Sequence, residues 1–167
     1  KPIGPDQTSV YKKLADKVLE SADTWENRLS AGIGKKTPDQ KRDEWVDLLQ
    51  QNKLGALALM RNLRNMQGVG VNDGLIREAL LRMKVERVLP FRFLTAVHHA
   101  PALIDALNTA MLRCLEGLPK LPGHTRLLVD VSGSMDAPIS EKSELTRIDA
   151  AAGLAVLASE LCESVEI

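Results

Sequence analysis

Three oxygen-bearing side chains fall within one stretch of five residues: Asp130, Ser132 and Ser134, with Gly133 between the serines. A carboxylate and two hydroxyls are hard donors, suited to Mg²⁺ or Mn²⁺ rather than zinc or copper. Gly133 lets the loop turn tightly between the serines. Neither serine has a base nearby in sequence or the G-x-S-x-G frame of a nucleophile elbow. Asp130 is placed for a phosphoryl acceptor, but the two serines fit metal ligation better. A second set of side chains suits a polyanion: Arg61, Arg64, Arg77, Arg82, Lys84, Arg87 and Arg92. Arg61 and Arg64, three apart, share one side of a helix with Asn65 nearby. A guanidinium is always charged and grips phosphate through two parallel hydrogen bonds. The competing use of either arginine is an ion pair with a carboxylate on a neighbouring helix.

These residues need elements to position them. Leu127-Leu128-Val129 is a short apolar run ending in Asp130, the pattern of a buried strand, and the spacing predicts a strand over 126–131. The polar cluster then sits at the strand's C-terminal end, where open parallel sheets bind ligands. Residues 137–145 are polar and predict a long loop. Ile148, Ala151, Ala152, Ala155 and Cys162 mark a following helix with many small residues, and 165–167 resembles the opening of a second strand.

Upstream the periodicity is helical, almost throughout residues 7–118. After an irregular Pro/Gly start over 1–6, Val10, Leu14 and Val18 recur with Tyr11, Ala15 and Leu19. A short helix starts at Asp23, with Glu26 as capping partner, Trp25 and Leu29 on one face, and Gly32 as a stop. Thr37, Pro38 and Gln40 form the clearest helix start, followed by Trp45, Leu48 and Leu49. The apolar neighbours of Trp25 and Trp45 favour core packing over base stacking. One helix is expected over 54–67, ended by Gly68 and Gly70, and another after an Asn72 or Asp73 cap, carrying Ile76, Ala79, Leu80 and Met83. The glycines of 68–74 follow a helix, not a strand, so they predict a stop and turn rather than a nucleotide loop. Pro90 opens a helix that Pro101 closes. Ile104, Leu107, Met111, Cys114, Leu115 and Leu118 mark a long amphipathic helix. His98 and His99, adjacent on a helix, point to different faces and make a poor metal site. The two glycines and two prolines of 117–124 predict a linker.

Composition sets the class. Aromatics are 3%, so the core is aliphatic. No apolar run approaches the roughly 20 residues of a membrane span. No signal peptide is expected, and a start at Lys1 rather than Met suggests a fragment. Cys114 and Cys162 predict two buried thiols in a reducing, cytoplasmic setting. The net charge of zero is unevenly spread. Residues 127–167 hold 8 acids and 2 bases, and residues 1–126 hold 14 acids and 20 bases. A basic segment followed by an acidic one points to modules with different partners, a polyanion being the candidate for the first. Helix number and short loops suggest a mainly α chain, a solenoid of helix pairs without a clean repeat, followed by the start of an α/β module.

Asp130-Val131-Ser132-Gly133-Ser134 resembles the D-x-S-x-S signature of von Willebrand factor A domains, whose metal-ion-dependent adhesion site it carries. Leu54 through Met66, with Arg61-Asn62-Leu63 at its centre, resembles the marked helix of Ro-family ribonucleoproteins, the TROVE-domain proteins, and Leu89-Pro90-Phe91 through Ala96 resembles their next marked stretch. The resemblance implies HEAT-like helical repeats over 1–122, the end of a ring, and the first strand and helix of a Rossmann-like A domain over 123–167. It implies binding of small noncoding Y-type RNA and of misfolded RNA ends in quality control or maturation. No catalysis and no membrane would be involved, and a 3′-exonuclease such as polynucleotide phosphorylase is a candidate partner. It also implies a divalent metal, Mg²⁺ or a similar cation, on Asp130, Ser132 and Ser134. The family's metal site also draws on a Thr and an Asp from later loops. The sequence holds 37 residues after Asp130, short of either, and Thr146, at a helix start, does not fill that role. A metal-dependent protein-interaction module without an RNA role is the alternative, and an A domain in an enzyme assembly of magnesium-chelatase type is a third.

Overall fold

The computed structural model describes residues 5–18, 23–30, 36–141 and 143–167. The proposed side-chain role of Leu19, the stop at Gly32 and residues 1–4 of the expected irregular start lie outside these residues, while residues 5 and 6 of that start are helical instead. The chain forms two compact units, Lys1–Thr37 and Pro38–Ile167.

The first unit holds α1 (Pro5–Ala15) and α2 (Trp25–Ser30). The apolar spacing does produce a helix, but Val10, Tyr11, Leu14 and Val18 remain more than half exposed. The start of α2 is fixed by Thr24, whose hydroxyl accepts from Asn27 N–H at 3.3 Å, one residue later than the expected Asp23.

The second unit is mainly helical. It contains α3 (Pro38–Gln50), α4 (Ala56–Arg61), α5 (Leu63–Gly68), α6 (Asp73–Arg82), α7 (Phe91–His99), α8 (Ile104–Arg113), β1 (Leu121–Arg126), α9 (Arg147–Glu160) and β2 (Cys162–Glu166). Its core is aliphatic with one aromatic at its centre: Phe93, Leu48, Leu49, Leu63, Met66, Ile76, Leu80, Leu103 and Leu107 are almost wholly buried. Each such side chain contributes about 1.5–3 kcal/mol by leaving water. Trp45 joins this core.

The expected single helix over 54–67 is two helices. Asn62 lies between them at φ −107°, ψ 6°, buried, with Nδ2 donating to the Ala58 carbonyl at 2.8 Å and Oδ1 accepting from Asn65 at 3.0 Å. Its amide competes for a helical carbonyl, which is how Asn interrupts a helix. Gly70, at φ +78°, turns the chain. Asn72 then caps α6, its Oδ1 accepting from Gly74 and Leu75 N–H. The long helix expected to reach Leu118 stops at Arg113. That guanidinium donates to the Leu81 and Met83 carbonyls at 2.5 and 3.2 Å, closing the end of α6.

The strand falls elsewhere than the apolar run predicted. β1 occupies Leu121–Arg126, overlapping the end of the 117–124 stretch expected to be a linker and meeting the expected strand only at Arg126, and pairs in parallel with β2 from Leu121↔Cys162 to Arg126↔Glu166. Pro122 and Gly123 are tolerated because, among the described residues, β1 has a partner on one side only and the register shifts between Leu121 and His124. The ladder continues only to Leu127, whose N–H donates to the Glu166 carbonyl at 2.8 Å. Leu127–Asp130 runs on beside α9 outside any regular element, with Leu127 and Val129 half-buried while Leu128 is 91% exposed and Val131 75% exposed. Cys162, expected on the helix, opens β2 instead, because α9 ends at Glu160.

Candidate nucleic-acid interface and metal loop

Two clefts gather the cationic side chains. The first, about 350 Å³, lies between the α4–α5 pair and α7 and is lined by Leu57, Met60, Arg61, Arg64, Asn65, Arg92, Thr95, Ala96 and His99. Arg61 ends α4 and Arg64 stands in the first turn of α5, so the Asn62 break places a guanidinium on each side of it. The Asn62–Asn65 hydrogen bond orients the amide of Asn65. Arg92 enters from α7, its guanidinium 5.2 Å from the centre of the Phe91 ring. Arg61, Arg64 and Arg92 are exposed, and no carboxylate pairs with any of them among the described residues. The second cleft, about 720 Å³, is lined by Gly55, Ala56, Leu57, Ala58, Lys84, Glu86, Arg87 and Val88. Leu57 borders both, so Lys84 and Arg87 continue the basic surface past the start of α4.

The remaining cations of the expected set divide. Arg77 donates to the Ala102 carbonyl and fastens α6 to the turn before α8. Arg82 is exposed in the last turn of α6 and lines neither cleft. Thr95 and His99 were missed by sequence reasoning. Their signal was the helical spacing 92, 95, 96 and 99, which sets them on the face of Arg92.

The candidate metal loop is built around Asp130. Its Oδ1 accepts from Ser132 N–H at 2.8 Å, and the Ser132 and Ser134 hydroxyl oxygens lie 3.0 Å apart. The Ser132 N–H, and after it the Ser132 hydroxyl, hold the Asp130 carboxyl below the usual carboxylate range. A short 3₁₀ turn, Gly133–Asp136, follows, and Arg147 donates to the Ser134 carbonyl at 3.3 Å. All three oxygen side chains are exposed and converge on one loop, so the residues present fit part of a Mg²⁺ shell. Among the described residues, no three His, Cys, Asp or Glu side chains gather to hold a metal ion.

The 137–146 segment closes on itself. Pro138 and Thr146 bridge, Ile139 N–H donates to the Leu145 carbonyl at 3.0 Å, and Arg147 N–H donates to that of Ala137 at 2.9 Å. This sets the start of α9 against the metal loop. Thr146 caps α9 reciprocally with Asp149: Asp149 N–H donates to the Thr146 hydroxyl, and Thr146 N–H and hydroxyl donate to the Asp149 carboxylate. The Thr146 hydroxyl, then its N–H, hold the Asp149 carboxyl below its ordinary range. His98 and His99 line different clefts, as expected of adjacent helical residues, yet they share one neighbour. His98 Nε2 and His99 Nδ1 each lie 3.4 Å from the same oxygen, Glu144 Oε2. Cys114 lies just beyond α8, half-buried, its thiol pushed up chiefly by burial, while Cys162 is buried.

No helix among the described residues is long and apolar enough to cross a membrane. The family model of the TROVE domain matches residues 14–143, from the first helix through the metal loop. No solved structure matches the chain.

Proposed function

The chain belongs to the TROVE-domain family, a family of RNA-binding ribonucleoproteins, and on that premise we propose that it binds small structured noncoding RNA of the Y type and the ends of misfolded RNA, as a binding component of RNA quality control. The observation that carries this reading is the cleft between α4–α5 and α7. Three exposed guanidiniums without carboxylate partners among the described residues surround an apolar floor of Leu57, Met60 and Ala96, with Asn65 and Thr95 as neutral hydrogen-bonding groups. Cations around such a floor suit a nucleic-acid backbone, the arginines taking phosphates and the amide and hydroxyl taking sugar or base edges. Lys84 and Arg87 in the adjoining cleft extend the track available to a backbone. RNA processed at its 3′ end implies a partner exonuclease of polynucleotide-phosphorylase type in the cytoplasm, and the binding component itself needs no catalytic group. The test is fluorescence anisotropy of labelled Y-type RNA at two salt concentrations. Affinity that falls steeply with salt supports the reading, and salt-insensitive or absent binding overturns it.

A second reading, a von Willebrand A-type metal-dependent contact, is favoured by the convergence of Asp130, Ser132 and Ser134 on one loop. Those three residues would hold Mg²⁺, which supplies an electrostatic anchor for a carboxylate or phosphate oxygen of a partner. The chain's own part is orientation. The Ser132 N–H fixes the Asp130 carboxylate, the hydroxyls face one another, and Arg147 ties the loop to α9.

A further inference from the structure

His99 has two neighbours of opposite consequence. Its ring lines the cleft formed by Arg61, Arg64 and Arg92, and its Nδ1 lies 3.4 Å from Glu144 Oε2. The same carboxylate oxygen is 3.4 Å from His98 Nε2, and His98 faces the other way, into the groove between α7, α8 and α9 that Asp149 also lines. Glu144 therefore touches a residue of the cationic cleft, His99, without lining the cleft itself, and its carboxylate lies against two rings from α7. It belongs to the closed 137–146 segment whose end caps α9 and whose neighbour Arg147 holds the Ser134 carbonyl. α7 thus touches both the cleft and the segment that follows the metal loop, and His99 is its residue that meets both.

We propose that Glu144 and the backbone of a bound single-stranded RNA compete for His99, so that filling the cleft loosens the 143–147 segment and, reciprocally, holding that segment down weakens RNA binding. This rests on the cleft being the RNA site. A phosphate in the cleft meets the Glu144 carboxylate as a like charge and His99 as a hydrogen-bond donor. The favourable arrangement for the phosphate is the one in which His99 turns from Glu144 toward the ligand. Such a coupling is reciprocal by linkage: whatever RNA does to the Glu144–His99 pair, formation of that pair does to RNA affinity. All three side chains are substantially exposed, Glu144 at 61%, so the effect is that of a surface charge pair.

The experiment uses the whole chain and a labelled oligouridine as the RNA probe. Anisotropy gives affinity, and hydrogen exchange read by mass spectrometry gives the state of the 143–147 amides with and without RNA. Glu144→Gln is expected to tighten oligouridine binding by roughly two- to fivefold. RNA is expected to speed exchange over 143–147 in the wild type but not in Glu144→Gln or His99→Gln. Glu141→Gln removes an exposed acid of the same segment that pairs with neither His98 nor His99, and is expected to leave affinity unchanged. Normal oligouridine binding with no gain in Glu144→Gln and no RNA-dependent change in exchange overturns the coupling and leaves the RNA site standing. An equal gain in Glu144→Gln and Glu141→Gln overturns it in favour of net charge alone. No binding of oligouridine by the wild type removes both the RNA site and the coupling built on it.

Discussion

Gly153 of α9 lies so close to Leu94 of α7 that a Cβ on Gly153 would stand 2.3 Å from Leu94 Cδ1 and 2.8 Å from Cδ2. The small residues of α9 thus let it pack closely against α7. Gly153→Ala gains about 1 kcal/mol of helix propensity but forces Leu94 to move, and overpacking typically costs about 1–3 kcal/mol. The expected result is net destabilisation of about 1 kcal/mol in urea unfolding. Leu94→Ala should relieve it, so that the double variant is more stable than the sum of the two singles predicts.

Asn62 provides the next test. Its amide serves the Ala58 carbonyl and Asn65 from a buried position. Asn62→Asp replaces the donor with a charge facing a carbonyl, and removing a donor of this kind costs about 1–3 kcal/mol. Because the break at Asn62 sets Arg61 and Arg64 on opposite sides of it, weaker RNA binding should accompany the loss of stability. Unchanged thermal stability would show that the break does not depend on the amide.

The cap of α9 predicts a pH dependence. Asp149 titrates below its ordinary range because Thr146 hydrogen-bonds its ionised form. A depressed carboxylate contributes stability that is fully present above the unfolded value of about 3.9 and is lost as pH falls through the lower folded value. Thr146→Ala should cost about 1 kcal/mol near neutrality. It should also flatten the acid side of the stability profile, since Asp149 then titrates nearer its unfolded value. Denaturant midpoints measured across that acid range read both effects.

For the metal loop, Asp130→Ala should abolish Mg²⁺ binding measured by calorimetry while leaving the salt dependence of RNA binding intact. Equal metal affinity in both proteins would remove Asp130 from the site. Wild-type affinity should itself be weak, because one carboxylate and two hydroxyls leave most of an octahedral shell to water.

Where local chemistry decides, the sequence was readable. Pro38, Asn72 and Thr146 mark helix starts by side chain or by fixed φ, and α3, α6 and α9 begin at Pro38, Asp73 and Arg147. The Asp130 loop forms from residues two apart and needs nothing distant. The strand was misplaced because pairing is tertiary. Leu127-Leu128-Val129 has the stronger strand composition, yet β2 offers its ladder to Leu121–Arg126, helped by cross-strand pairs such as Arg126 with Glu166 at 2.8 Å. The break at Asn62 was hidden because an asparagine can equally face solvent from an unbroken helix. The meeting of His98 and His99 on Glu144 joins residues some 45 positions apart, which no local spacing encodes.

The central claim is that Arg61 and Arg64 take RNA phosphate in the cleft. Its most direct test is the slope of log affinity against log salt for labelled Y-type RNA, measured for the wild type and for the Arg61→Glu/Arg64→Glu double variant with folding checked by circular dichroism. The variant should bind more weakly at every salt concentration, with a slope shallower by about one unit for each phosphate that is no longer neutralised. A folded variant with the wild-type slope would contradict the claim and return both arginines to a structural role.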